Sequence, residues 1–281
     1  MKAKTNDEKE TIARELHKPI IRKFKRTKII TNGINDIWTS DIIDMQTLAS
    51  KNKGYKFIIV IVDCFSRYAW ALPLKNKNSE SIIDAFQEVI NEGVQPKKLW
   101  TDQGPEYTNT LFKKWLKDND IILYHTYGEH KASIAERFVK TLKYKLYKLF
   151  TLDDSENWYD FIDDIMVAYN KTNHKSIGMS PNDASKKKNE SELLEKQYGQ
   201  YRQTGKIPKT TIQLGDFVRI AMTKNTFHKG YKPGWSKEIF KVIGMKLTKP
   251  PLFIIKDEKD ETIKGSFYEN ELQKTNTNIY F

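Results

Sequence analysis

The sequence predicts an α/β domain, a mixed sheet of five strands with helices on both faces, followed by a small all-β barrel. Three observations predict it. Between residues 37 and 181 the periodicity reads strand, strand, strand, helix, strand, helix, strand, then helices. A polar, Lys- and Glu-rich stretch, 182–210, follows and reads as a linker, partly helical. Over 211–274 short β-branched runs recur every dozen residues or so, with little helical signal. Residues 1–36 read as a basic N-terminal extension and 275–281 as a tail. The 281 residues suffice for two domains with real cores.

Residues 1–16 are charged, a short helix or a frayed end. Residues 17–30 concentrate Lys18, Arg22, Lys23, Lys25, Arg26 and Lys28, with Ile20, Ile21 and Phe24 interleaved. Such a stretch is either an arm laid along phosphates or a solvated linker. Ile37 to Ile43 is the first strand. Lys51-Asn52-Lys53-Gly54 is a turn, and the unbroken apolar run Tyr55 to Val62 is a buried strand. Arg67 to Leu74 completes a meander. Asn78-Ser79 caps a helix to Asn91, whose apolar positions are Ile82, Ile83, Phe86, Val89 and Ile90. Lys97 to Thr101 is the fourth strand, and it ends at Asp102. A helix over 108–119 and a fifth strand, Ile121 to Tyr124, follow. A mobile loop, 126–131, leads into a long basic helix, and another helix runs over 155–171. In the barrel, strands are expected over 214–220, 239–243 and 252–257, with Phe227, Lys229, Tyr231, Lys232, Trp235 and Lys237 interleaving basic and aromatic character.

Lys and Arg number 48 against 36 Asp and Glu, a net charge of +12. A surplus of this size selects a polyanionic partner, nucleic acid or an anionic membrane. No apolar run reaches the roughly 18 residues of a membrane span, and the N-terminus shows no apolar signal region, so an intracellular, non-secreted protein is expected. The lone Cys64 excludes an internal disulfide framework and a multi-cysteine zinc site, and reads as a small apolar group in a buried strand.

Three acids carry the chemistry. Asp41 lies in the first strand, Asp102 ends the fourth, and Glu136 sits in the first turns of the basic helix. Sixty residues separate the first two and 33 the last two. Three carboxylates brought together can hold two divalent ions, about 3.5–4 Å apart, for in-line attack on a phosphodiester. Asp41 and Asp102 become neighbours if the first and fourth strands are adjacent. Asp44, three residues on in the same strand, points to the opposite face. Glu129 in the preceding loop is the rival to Glu136. Asp63 and Glu106 read as a turn residue and a polar neighbour. Lys140 and Lys143 follow Glu136 by four and seven residues and share its helix face. Arg137, Lys145 and Lys148 turn further away. Trp235 and Phe217 read as barrel core.

Trp38-x-x-Asp41, Thr101-Asp102-Gln103-Gly104-Pro105-Glu106-Tyr107 and Ile134-Ala135-Glu136-Arg137-Phe138 together resemble the catalytic core of retroviral-type DDE integrases. Tyr169-Asn170-Lys171-Thr172-Asn173-His174 through Ser180-Pro181 resembles the segment closing that core. Leu214-Gly215-Asp216-Phe217-Val218-Arg219, with Phe227 to Phe240, resembles the start of the family's C-terminal barrel. In flavour the chain is similar to integrases of Polinton (Maverick) elements and virophages. The resemblance implies a ribonuclease-H-like core and a barrel of Src-homology-3-like type. It implies two Mg²⁺ or Mn²⁺ ions on Asp41, Asp102 and Glu136, 3′-end processing and strand transfer on double-stranded DNA, and a homo-multimer working in a host nucleus or with a virion. Lys140, Lys143, Arg137, Arg22, Lys23, Arg219, Lys229 and Lys232 become candidate DNA contacts. The chain departs from many relatives in three ways: His17 stands without cysteines where they carry a His-His-Cys-Cys module, so no zinc is expected; Val139 stands where they have Asn; and the Asp102–Glu136 gap is slightly short. A related nuclease or resolvase that cuts without joining, and a domesticated non-catalytic DNA-binding protein, are the alternatives.

Overall fold

The run Phe57-Ile-Ile-Val-Ile-Val is apolar without interruption because both of its faces are covered. In a computed structural model that describes residues 6–24, 26, 29–125, 133–202, 210–222, 231–246, 248 and 250–275, this run is strand β2 (Phe57–Asp63). It pairs antiparallel with β1 (Ile37–Asp44) and β3 (Ala69–Leu74). On its other side β1 pairs parallel with β4 (Lys98–Thr101), and β4 pairs parallel with β5 (Ile122–His125). The sheet is therefore mixed and five-stranded, in the order β3-β2-β1-β4-β5. Pro73 is accommodated because β3 is an edge strand, where a missing N–H breaks no inner ladder.

Alternation sorts the strands onto two layers. Ile58, Val60 and Val62 face a helical layer of α5 (Ser133–Asp153) and α6 (Ile162–Lys171), packing with Phe138, Leu142, Leu146 and Ile165. Phe57, Ile59 and Ile61 face α2 (Ser79–Asn91), α3 (Pro105–Thr108) and α4 (Thr110–Asp118), packing with Phe86, Tyr107 and Phe112. The caps follow the sequence: Asn78 accepts from the Ser81 amide and Asn109 from the Phe112 amide. The stretch expected as a linker is largely structured. It forms α7 (Pro181–Ala184) and α8 (Glu190–Arg202), with Ala184, Leu193 and Tyr198 buried against Phe65 and Ile177. In α8 itself Leu193 and Tyr198 are the buried apolar anchors, Leu194 packs beside them, and the buried Gln197 donates to the Phe65 carbonyl.

The chain divides into two compact units, 29–203 and a second built from 1–28 together with 204–281. The second unit contains an antiparallel five-stranded sheet. Its strands are β6 (Phe217–Ile220), β7 (Phe240–Lys246), β8 (Leu252–Lys256), β9 (Phe267–Tyr268) and β10 (Leu272–Lys274), in the order β10-β6-β7-β8-β9. Val218, Phe240, Val242, Phe253 and Ile255 form its core. The N-terminal segment belongs here rather than standing apart as an extension. Helix α1 (Asn6–Leu16) buries none of its residues and is held by polar contacts. Glu15 accepts from Arg219 Nε at 3.0 Å and from Thr275 Oγ1 at 2.9 Å. The Gly234 amide donates to the Leu16 carbonyl, and Trp235 Nε1 donates to the Lys18 carbonyl at 2.8 Å. Phe24 meets Tyr268 edge-on.

Candidate active site

The β1–β4 register pairs Ile37 with Lys98, Trp38 with Leu99 and Thr39 with Trp100. The ladder ends there, two residues short of Asp41 and of Asp102, and the charges of both acids act on the buried Tyr107. Partners in a parallel ladder share a face. Trp38 and Leu99 both face the α2–α4 layer, whereas Ile37 and Ile43 pack with the α5–α6 layer. Asp41, in phase with Ile37 and Ile43, points to the α5 side, and Asp102 is in phase with it. The condition stated from sequence, adjacency of the first and fourth strands, is met.

Local hydrogen bonds orient both carboxylates. Asp41 Oδ1 accepts from the Ile42 amide at 2.8 Å, and Asp102 Oδ1 accepts from the Gly104 amide at 3.0 Å. Beneath them lies a pair the motifs alone did not single out. Tyr107 is buried, and its hydroxyl is 2.9 Å from Ser40 Oγ, which itself donates to the Val60 carbonyl. With the serine proton so used, Tyr107 donates to Ser40. Burial drives the phenol pKa upward, and the charges of Asp41, Glu106 and Asp102 push it further in the same direction. Tyr107 therefore stays neutral beside both acids. Its place five residues after Asp102 in the same motif was the available signal.

Glu136 arrives on α5, which packs on β1 and β2 through Ala135, Phe138 and Leu142. Glu136, Lys140 and Lys143 form one exposed stripe of this helix. Lys143 reaches the electrostatic neighbourhood of Asp44, whose carboxyl is held below its usual range mainly by the Gln46 amide and side chain. Two of the three acids thus belong to adjacent strands or their ends, and the third enters from a separate helix. Among the described residues no three His, Cys, Asp or Glu side chains gather closely enough to hold a metal ion. The Asp41–Asp102 pair offers carboxylate oxygens, the donor set that hard divalent cations take.

The candidate DNA contacts fall in several places. Arg137, Lys140 and Lys143 are exposed on α5. In the second unit Arg22, Lys23 and Lys232 are exposed, and Arg22 donates to the Met222 carbonyl at 3.1 Å. Arg219 corrects the expectation: its side chain is only 2% exposed and is spent on Glu15, the Ser236 carbonyl and the Lys237 carbonyl. It is an internal strut, because an acid 204 residues away meets it. Trp235 is buried, as its core reading anticipated. Lys229 and Glu129 lie outside the described residues.

Residues 32–127 match the family model of the integrase core domain. These residues are similar to the integrase core of retroviruses and transposons. The chain is 29% identical, over 199 residues, to a transposon-derived protein of Caenorhabditis elegans, covering 70% of this chain and 65% of that protein. It is 28% identical over 135 residues to the Pro-Pol polyprotein of feline foamy virus, covering 46% of this chain and 11% of the polyprotein. The chain thus spans under two thirds of the length of these relatives. In three dimensions it is similar to a chain of the simian T-cell lymphotropic virus intasome bound to the PP2A regulatory subunit B56 gamma. The TM-score is 0.63 at 16% identity, covering 91% of this chain and 83% of that one, a likeness of fold. No helix among the described residues is long and apolar enough to cross a membrane.

Proposed function

We propose that the protein is a DDE integrase of a mobile element or virus, which trims the 3′ ends of the element's DNA and joins them to target DNA. The observation that supports the reading is that β1, which carries Asp41, runs parallel and next to β4, which ends one residue before Asp102. Asp41, Asp102 and Glu136 would hold Mg²⁺ or Mn²⁺, two ions in this reading, which supply charge neutralisation at the phosphate and activation of the attacking oxygen. The protein's own part is positioning. Asp41 and Asp102 are pre-oriented by the Ile42 and Gly104 amides, so little reorganisation is needed when substrate binds. Lys140 and Lys143, in line with Glu136, hold the DNA end by its phosphates. In joining, the free 3′-hydroxyl attacks a target phosphodiester. One P–O bond forms as another breaks, the proton leaves the hydroxyl, and no covalent link to the protein arises.

The second unit's antiparallel sheet is read as a Src-homology-3-like barrel that adds DNA contacts through Lys232 and Lys229. Joining two ends to one target calls for a homo-multimer, and the work is set in a host nucleus or a virion. The test is nicking and end-joining of a labelled duplex with Mg²⁺ or Mn²⁺, comparing wild type with Asp102→Asn. Joined products that vanish in the variant, with DNA still bound, support an integrase. Nicks without joining move the assignment to a nuclease, and strand transfer retained by Asp102→Asn overturns the site.

A further inference from the structure

A cavity of about 420 Å³ opens on the integrase core between α5, the end of α6, the loop 172–176 and the turn at Arg67. Arg67, Arg137, Lys145 and Lys175 line it, and among the described residues no carboxylate does. None of the four takes part in the ion pairs found among the described residues. Four cations around one concavity repel one another and raise the local positive potential, which an anion relieves. Two of them are arginines, whose planar fork suits phosphate oxygens. The lining also includes the rings of Phe138 and Tyr169, and His174 meets Tyr169 edge-on at 4.6 Å. Phe138 and Tyr169 are buried in the core, so the half-buried His174 imidazole is the ring that meets a base or sugar, with the phosphate at the charges.

The cavity is separate from the acids. On α5, Arg137 lies about 60–120° and Lys145 about 140–180° round the helix from Glu136, Lys140 and Lys143.

We propose that this cavity is a nucleotide-phosphate binding site distinct from the catalytic acids. The phosphate belongs either to a free nucleotide or to a nucleotide within a DNA strand. The site stands apart from the proposed reaction, so it is tested on the full chain in EDTA, where no metal-dependent chemistry occurs. Calorimetric titration with dAMP and with a short 5′-phosphorylated single strand compares wild type with Lys145→Gln/Lys175→Gln and with Lys175→Gln alone, an exposed position that spares the fold. The expected result is one dAMP site per chain, weakened about tenfold or more in the double variant at unchanged melting temperature. A parallel loss with the oligonucleotide identifies a DNA strand as the source, and a loss confined to dAMP identifies a free nucleotide. No dAMP binding by wild type, or equal affinity in the folded variants, overturns the proposal.

Discussion

Glu15→Ala is expected to loosen the second unit while leaving the integrase core intact. The substitution strands the guanidinium of Arg219, which is 2% exposed, and removes the acceptor of Thr275 Oγ1. Breaking a buried pair from one side costs about 3–5 kcal/mol, because the remaining charge is buried without its partner. Arg219 keeps the carbonyls of Ser236 and Lys237, and Glu15 is itself 16% exposed, so the lower end, about 3 kcal/mol, applies. At about 1.4 kcal/mol per decade this is roughly a hundredfold rise in local opening. Hydrogen exchange reads it directly. Amides of β6 and β7 should lose about two orders of magnitude of protection, while those of β2 in the core keep theirs. Glu15→Ala/Arg219→Met should regain much of the loss, since apolar replacement of a buried pair is close to neutral. Unchanged exchange in β6 of the single variant would refute the view that the N-terminal helix is part of this unit.

Tyr107→Phe removes one hydrogen bond but leaves Ser40 donating to Val60, so denaturant unfolding should show a loss of about 1 kcal/mol. Because Tyr107 is neutral beside the acids, nicking should persist in that variant, in contrast to Asp102→Asn. The His174 imidazole is pushed below 6.5, chiefly by burial and further by Arg67 and Lys145, against a hydrogen bond to the Tyr169 backbone. The unfolded chain then binds more protons than the folded one as pH falls through about 6.5, so stability drops there and is regained above it. Melts from pH 5 to 8 should show a slope for wild type that is shallower in His174→Gln; equal slopes would remove His174 from the account.

Much of the core was legible because its signals are local. The apolar run of β2 and the Asn78 cap each depend on neighbours in sequence. Of the site, the identity of Asp41 and Asp102 was legible, but their adjacency waited on strand order, which no local pattern encodes. Arg219 was misread for the same reason. A basic residue in a basic chain looks like a phosphate contact until Glu15, 204 residues away, is found against it. The stretch holding α8 was read as a partly helical linker because only a few of its positions, Leu193 and Tyr198 among them, are apolar anchors. The pocket at Arg67 is invisible in sequence, since its cations come from three separate segments.

The pairing of Glu15 with Arg219 also sets a timetable for synthesis. Helix α1 has 11 residues and buries none of them, so it is marginal by itself. Its partner strand leaves the ribosome about 200 residues later, a wait of about 10–40 s at ordinary elongation rates. The core, 29–203, is complete in sequence before that point and free to fold. A nascent chain stalled before Phe217 therefore carries a finished core and an undocked basic leader, open to proteases and to any polyanion nearby.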